Sequence, residues 1–302
     1  MTASTCYHRL CDDSRASFGG DEFIFVEVGE AMSLTAALRI QAITGELKRQ
    51  GITGLIDIAP ANASYMIRLD PDTVDPRRCL HIVDDLHRQF CDVSSVALET
   101  EIVEIPVWYN DPATREIAMK FRDRHQSAID TDIEYTAKIN GFSTIDDFIV
   151  AHCSAPFIVT FPCFKPGNTE CVQLVPDDRQ LQAPKYLRPR TETPCRAVAH
   201  GGAFTVIYPT AGVGGYQMLG RSPVPVVDLS QTRPGFTESM VLARASTLIQ
   251  FRSIDSDQYQ NLRRASEGGS YQYLRRPVIF ALAEYLADQT GYPQRLSRVL
   301  AC

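Results

Sequence analysis

The side chains with the most chemical capacity fall between positions 152 and 217 of the 302-residue chain. His152 is the penultimate residue of the stretch IDDFIVAHC; an imidazole titrates near about 6.5 and could act as acid or base, or could cap free carbonyls at a helix end. Arg190, in RPRTE, is a permanent cation with a planar fork of donors. It suits a carboxylate, carboxyphosphate or phosphate oxygen, or an ion pair tying two loops. Gly214 and Gly215 allow close backbone approach, so they could present N–H groups to an oxyanion or simply form a tight hairpin. His200 and Lys165 each adjoin a glycine-bearing loop, and convergent polar groups mark pockets. The candidate catalytic set is therefore His152, Arg190 and His200. Cys153, Cys163 and Cys195 fall around the same loops, but nothing nearby in sequence would lower a thiol pKa, so no nucleophile is assigned.

Several other chemistries are excluded. The formal net charge is -6 and Lys and Arg are scattered, so there is no basic stripe for nucleic acid. No apolar run reaches membrane-spanning length, and the N-terminus lacks signal-peptide order, so a soluble cytoplasmic chain is expected. Nine cysteines form no C-x-x-C pair and read as free thiols, with no metal site. No Walker sequence and no biotin-accepting lysine motif is present, so no cofactor is bound by a recognisable motif. Gly19–Phe23 spell GGDEF, the signature of a cyclase hairpin, but the upstream half of such a domain is missing. The stretch reads as a turn into a strand.

The elements that must carry the site follow from periodicity. Ala36, Ile40, Ile43 and Leu47 recur at helical spacing, LIDIAP and SYMIRLD are short strands around a turn, and Leu80, Val83, Leu86 and Phe90 share a helical face. His81 and His87 sit among charges on that helix and read as solvated. VEIPVWYNDPA has Pro106 in a strand-like run, compatible with a strand start or edge. Ser143 with Asp146 forms a variant capping box for the helix that ends at His152. From Phe157 to Asp255 short strands between turn signals suggest a β-barrel or sandwich, and Val278 to Asp288 reads as helical.

With these residues in place the chain resembles the KipI family, whose members are also called allophanate hydrolase subunit 1 or PxpB, the B component of bacterial 5-oxoprolinase. GDEFIFVEVG resembles its opening strand, CFKPG its GFxPGF loop, RPRTETPCRAVAHGG its TPRxxVPxGSVxIGG, and VIYPTAGVGGYQMLGRSP its GIYPxxxPGGWQLIGRTP. The resemblance implies an α+β fold: a small α+β N-terminal domain followed by a cyclophilin-like β-barrel. The divisions expected are a tail over 1–17, the N-terminal domain over 18–102, the barrel over 103–258 and a C-terminal helical extension over 259–302. It also implies a hydrolase or carboxyltransferase-like subunit acting on a small amide, lactam or carboxylated substrate, with ATP as the implied cofactor and a KipA-type (PxpC-type) subunit or a homo-oligomer as partner. The alternatives are a non-catalytic regulator of the kinase-inhibitor type and a stand-alone enzyme of specialised metabolism.

The substrate-binding set expected on these motif stretches is Lys165, Pro166, Gly167, Phe204, Thr205, Tyr208, Gly214, Gly215 and Gln217, in which Pro166, Gly167, Thr205, Tyr208, Gly214, Gly215 and Gln217 match the family's residues and Lys165 is a newcomer. The departures lie in the same loops: Cys163, Asn168, Arg196, His200, Phe204 and Val206 stand where the family has other residues. By strand parity, Phe204 and Val206 share a face. If the strand runs unbroken across Gly201 and Gly202, His200 joins them as the polar group against an apolar pocket wall.

Overall fold

The computed structural model describes residues 7–301; Cys6 and Cys302, expected as free thiols, lie outside them. The chain divides into two compact units, one of residues up to 99 with Ile279–Ala287 and one of residues 100–278 with the segment from Asp288 onward.

The first unit contains β1 (His8–Arg9), β2 (Arg15–Gly19), β3 (Phe23–Glu27), α1 (Leu34–Arg49), β4 (Leu55–Pro60), β5 (Ser64–Leu69) and α2 (Pro76–Gln89). The strands pair antiparallel in the order β1-β2-β3-β5-β4. GGDEF is the β2–β3 hairpin: Gly19 pairs with Phe23 and Gly20 takes φ +67°. β2 starts at Arg15, so strand structure reaches into the stretch read as a tail. Alternation along β3 and β5 buries Ile24, Val26, Tyr65 and Ile67 and leaves Phe25 and Met66 exposed.

α2 starts with Asp75 accepting from the Arg77 amide and with Pro76 in its first turn. His87 on this helix is fully buried, not solvated as its charged neighbours suggested. Its Nδ1 lies 2.9 Å from Asp12 Oδ2 and its Nε2 lies 2.8 Å from the Tyr65 hydroxyl. Arg39 shares Asp12 Oδ2, and its Nε donates to the Phe90 carbonyl at 2.7 Å. A tertiary carboxylate thus turns a helix position that reads polar into a core position.

The second unit runs from β6 (Ala97–Tyr109) through α3 (Pro112–Lys120), α4 (Asp132–Ile139) and α5 (Ile145–Cys153). It continues with β7 (Phe157–Pro162), β8 (Thr169–Gln173), β9 (Arg190–Thr193), β10 (Ala197–Gly201), β11 (Phe204–Ile207) and β12 (Gly212–Gly214). Then come β13 (Gln217–Arg221), β14 (Leu248–Ser253), α6 (Ser256–Glu267) and β15 (Arg275–Ala281), whose last residues belong with α7 (Leu282–Ala287) to the first unit, and α8 (Gly291–Arg298) of the second. One sheet follows the order β13-β10-β11-β8-β7-β14-β6-β15, and β13 also pairs with β6, so the strand path returns to its start. β9 and β12 form a separate two-stranded sheet.

Inside the large sheet lies a core that includes Ile105, Val107, Phe157, Val159, Val198, Ile207, Leu219 and Phe251. Pro106 is buried in the interior of β6, not at a start or edge. The Glu104 amide donates to the Leu274 carbonyl and the Asn110 amide to the Leu219 carbonyl; Pro106 has the same parity and falls between these pairings, where β6 changes neighbours and a missing N–H costs least. Of the stretch Val278 to Asp288 expected to be helical, Val278 to Ala281 continue β15 and only Leu282–Ala287 is helical.

Candidate functional site

α5 is capped by Thr144, one residue later than expected, whose hydroxyl accepts from the Asp147 amide at 3.0 Å. The helix delivers His152 into the sheet interior, where it is fully buried. His152 Nδ1 is 2.8 Å from the Tyr109 hydroxyl and its Nε2 is 3.1 Å from Thr205 Oγ1. Thr205 Oγ1 is 2.9 Å from His200 Nδ1, and His200 Nε2 is 3.0 Å from the Leu181 carbonyl.

The proton positions follow from the last of these contacts. A carbonyl only accepts, so His200 Nε2 donates and its Nδ1 accepts from Thr205. Thr205 then accepts from His152 Nε2, and His152 Nδ1 accepts from Tyr109. Burial, reinforced by His200, holds His152 well below the usual imidazole range, and burial brings His200 down to about 4. Both rings are neutral at pH 7. The role of capping the α5 carbonyls falls to Gln173, which donates to Ala151 at 2.8 Å and to His152 at 3.2 Å.

Arg190 and Gln217 belong to a second enclosed group centred on Asp132, which is 1% exposed. Thr131 and Glu134 form a reciprocal capping box that fixes Asp132 in the first turn of α4. Asp132 Oδ1 accepts from Arg122 and from the Tyr186 hydroxyl. Its Oδ2 accepts from the Met218 amide at 2.8 Å and faces Arg190 Nη1 at 3.5 Å. Arg190 also donates to the Tyr216 carbonyl at 2.8 Å, and its guanidinium lies 4.4 Å from the Tyr186 ring centre. Of the two roles open to Arg190, the geometry displays an ion pair, which ties the start of β9 to the first turn of α4 and not two loops. Gln217 Oε1 is 2.7 Å from His125 Nε2, and burial, with Arg122 nearby, lowers the His125 pKa. Asp132, Arg122, His125 and Tyr186 carry no distinguishing mark in the sequence; the T-D-I-E capping signal shows only the helix start.

Phe204 and His200 lie on opposite faces, correcting the parity argument. β10 and β11 are joined by a tight turn at Gly202 (φ +61°) and Ala203, and His200 pairs with Thr205 while Gly201 pairs with Phe204. The glycine pair reverses the chain, so counting through it is invalid. Phe204 and Val206 do share a face: both pack in a cluster with Tyr208, Tyr216 and Met218. Tyr216 on this face donates to Glu170.

Tyr208 reaches the glycines of the neighbouring loop. A Cβ on Gly214 would lie 2.6 Å from the Tyr208 hydroxyl and 2.5 Å from Thr193 Oγ1, so only glycine fits there. Burial raises the Tyr208 pKa, so its hydroxyl stays protonated. Arg196, where the family has glycine, takes φ +65° and anchors its side chain on the Pro223 carbonyl at 2.8 Å.

Lys165, Pro166 and Gly167 have a different setting. The Cys163–Asn168 loop and the segment Val241–Ala245 enclose an open cleft of about 390 Å³, within the size range of small-molecule sites. Gly167 (φ +83°) is required because a Cβ would approach Val227 Cβ to 2.9 Å. Lys165 Nζ bonds Thr210 Oγ1 at 2.8 Å and lies 5.5 Å from the Phe164 ring centre. Arg244 also lines the cleft and had no recognisable sequence signal. Burial raises the Cys163 thiol pKa, which leaves it a poor nucleophile.

This fold of mixed helices and strands has solved counterparts. It overlays the urea carboxylase of Kluyveromyces lactis with a TM-score of 0.77 at 20% identity, over 97% of this chain and 26% of that one. The profile of the family described as carboxyltransferase domain, subdomain C and D, matches residues 14–237. The chain belongs to this family. It is 23% identical over 255 residues to the B component of 5-oxoprolinase from Bacillus subtilis, covering 82% of this chain and 95% of that component. It is 21% identical over 271 residues to the urea amidolyase of Saccharomyces cerevisiae, covering 88% of this chain and only 15% of the amidolyase. These relatives are enzymes or enzyme subunits. Among the described residues no helix is long and apolar enough to cross a membrane.

Proposed function

We propose that the chain is a subunit, or one part, of an enzyme of the 5-oxoprolinase or urea-carboxylating type, acting with a KipA-type partner on a small amide, lactam or carboxylated substrate. The observation that carries this is the near-complete coverage of the B component of Bacillus subtilis 5-oxoprolinase, which extends the likeness over a whole polypeptide. On this reading the returning strand path of the second unit is the cyclophilin-like barrel, and the cleft at Lys165 and Arg244 receives the small molecule. The enclosed positions of His152, His200 and Arg190 support a division of labour. This chain binds and orients, and the partner supplies the acid–base groups and any nucleotide site. Co-expression with the KipA-type partner tests it: the purified pair is expected to show either 5-oxoproline-dependent ATP hydrolysis with glutamate release, or carboxylation of urea from carboxybiotin, with neither chain active alone. A stable pair inactive in both assays would overturn the proposal.

A further inference from the structure

The cleft between the Cys163–Asn168 loop and Val241–Ala245 has an uneven chemistry. Pro162, Phe164, Val241, Ala243 and Ala245 supply apolar surface, and no carboxylate is among the lining residues. The two charges lining it, Lys165 and Arg244, are both positive. Lys165 is held by the neutral Thr210 oxygens at 2.8 and 3.3 Å, and Arg244 forms no side-chain hydrogen bond or ion pair among the described residues. Several other arginines of the second unit do have carboxylate partners, among them Arg190 with Asp132, Arg221 with Asp111, Arg252 with Glu104 and Arg275 with Glu101.

The loop on one side of the cleft also holds two costly features. Phe164 adopts φ +68° and is 71% exposed, a conformation unfavourable for a bulky L-residue. Asn168 is buried with an Oδ1 that has no partner, which carries a desolvation penalty. Such costs concentrate at ligand clamps.

We infer that this cleft binds a small carboxylic acid with an apolar body, its carboxylate set against Arg244 and Lys165 and its hydrocarbon part against Phe164, Val241 and Ala245. A guanidinium without a carboxylate partner recognises a planar anion by paired N–H donors. The apolar wall then selects against small hydrated anions, which gain nothing from leaving water there. The inference rests on the cleft being the binding site in the function proposed above, but it concerns binding to this chain alone, so turnover by the two-chain enzyme and ligand binding succeed or fail independently.

The test uses the full chain, isothermal titration calorimetry at low salt, and four probes: 4-methylpentanoate, its uncharged amide, acetate and inorganic phosphate. We expect saturable binding of 4-methylpentanoate below about 10 mM, with the amide and acetate each weaker by about tenfold. Arg244→Ala should weaken the acid by about tenfold and leave the amide unchanged, and Phe164→Ala should weaken both the acid and the amide. Folding of both variants is checked by thermal unfolding, and Arg244→Gln serves as a second test of charge. The inference is overturned if 4-methylpentanoate does not bind, if the amide binds as well as the acid, if acetate or phosphate binds as well as 4-methylpentanoate, or if the Arg244 variants bind it unchanged.

Discussion

In the interior of the second unit, His152, Thr205 and His200 are each 1% exposed or less, and both histidines are bonded on every ring nitrogen. At the cleft, Lys165 and Arg244 meet no carboxylate among the described residues. Both regions carry residue types that do chemistry elsewhere. In the first, these polar atoms are used by the fold, because an unpaired donor or acceptor removed from water costs more than a pairing gains. In the second, Arg244 is exposed and Lys165 is held only by neutral oxygens, so the charges are available to a ligand. Residue type therefore identifies chemical capacity, and enclosure decides whether the fold or a ligand uses it.

The comparison breaks most readily at Asp132. Asp132→Ala should destabilise the chain by about 3–5 kcal/mol in urea unfolding, because it leaves the Arg190 and Arg122 cations enclosed without their carboxylate. Arg190→Ala should cost a similar amount; an Arg190→Ala chain that keeps its unfolding midpoint but loses ligand binding would move Arg190 from the enclosed class to the open one. Thr205→Val strands a nitrogen on each of two histidines and should cost about 1–3 kcal/mol, with no greater effect on 4-methylpentanoate affinity than its stability loss produces.

Acid sharpens the same contrast. The folded pKa values of His152 and His200 lie below the unfolded value of about 6.5, so below 6.5 the unfolded chain binds more protons. The stability that these neutral rings contribute is therefore complete above 6.5 and falls as the pH drops from there toward the His200 value of about 4. Urea midpoints should decline between about pH 6.5 and 5, before most carboxylates titrate, and a His152→Gln, His200→Gln chain should lose most of that slope. The smallest effect belongs to the cleft: Lys165→Ala should change stability by no more than about 0.5 kcal/mol while weakening the carboxylate probe. A larger stability loss would place Lys165 among the groups the fold uses.

Local structure was legible in the sequence wherever it depends on neighbours along the chain. The GGDEF turn, α1, the β4–β5 pair and the helix ending at His152 follow from glycine, capping and apolar spacing, with the α5 cap displaced by one residue to Thr144. The order of motifs was legible too, and with it the family. His87 reads as solvated because its partner Asp12 is 75 residues away. The shared face of His200 and Phe204 fails because parity is lost at a turn. Lys165 and Gly167 fall on the loop expected of them, but Arg244 has no local mark, since its importance comes only from the loop it faces.

The sequence by itself determined the helices, the hairpins, the positions where only glycine fits and the residue types available for chemistry, because sterics and periodicity act within a few residues. Only the tertiary structure decided which of those residues are enclosed and which are open. Enclosure is set by contacts between distant segments: it brings Asp132 to Arg190 and Thr205 between two histidines, while the segment at Arg244 meets the 163–168 loop and leaves its charge in water.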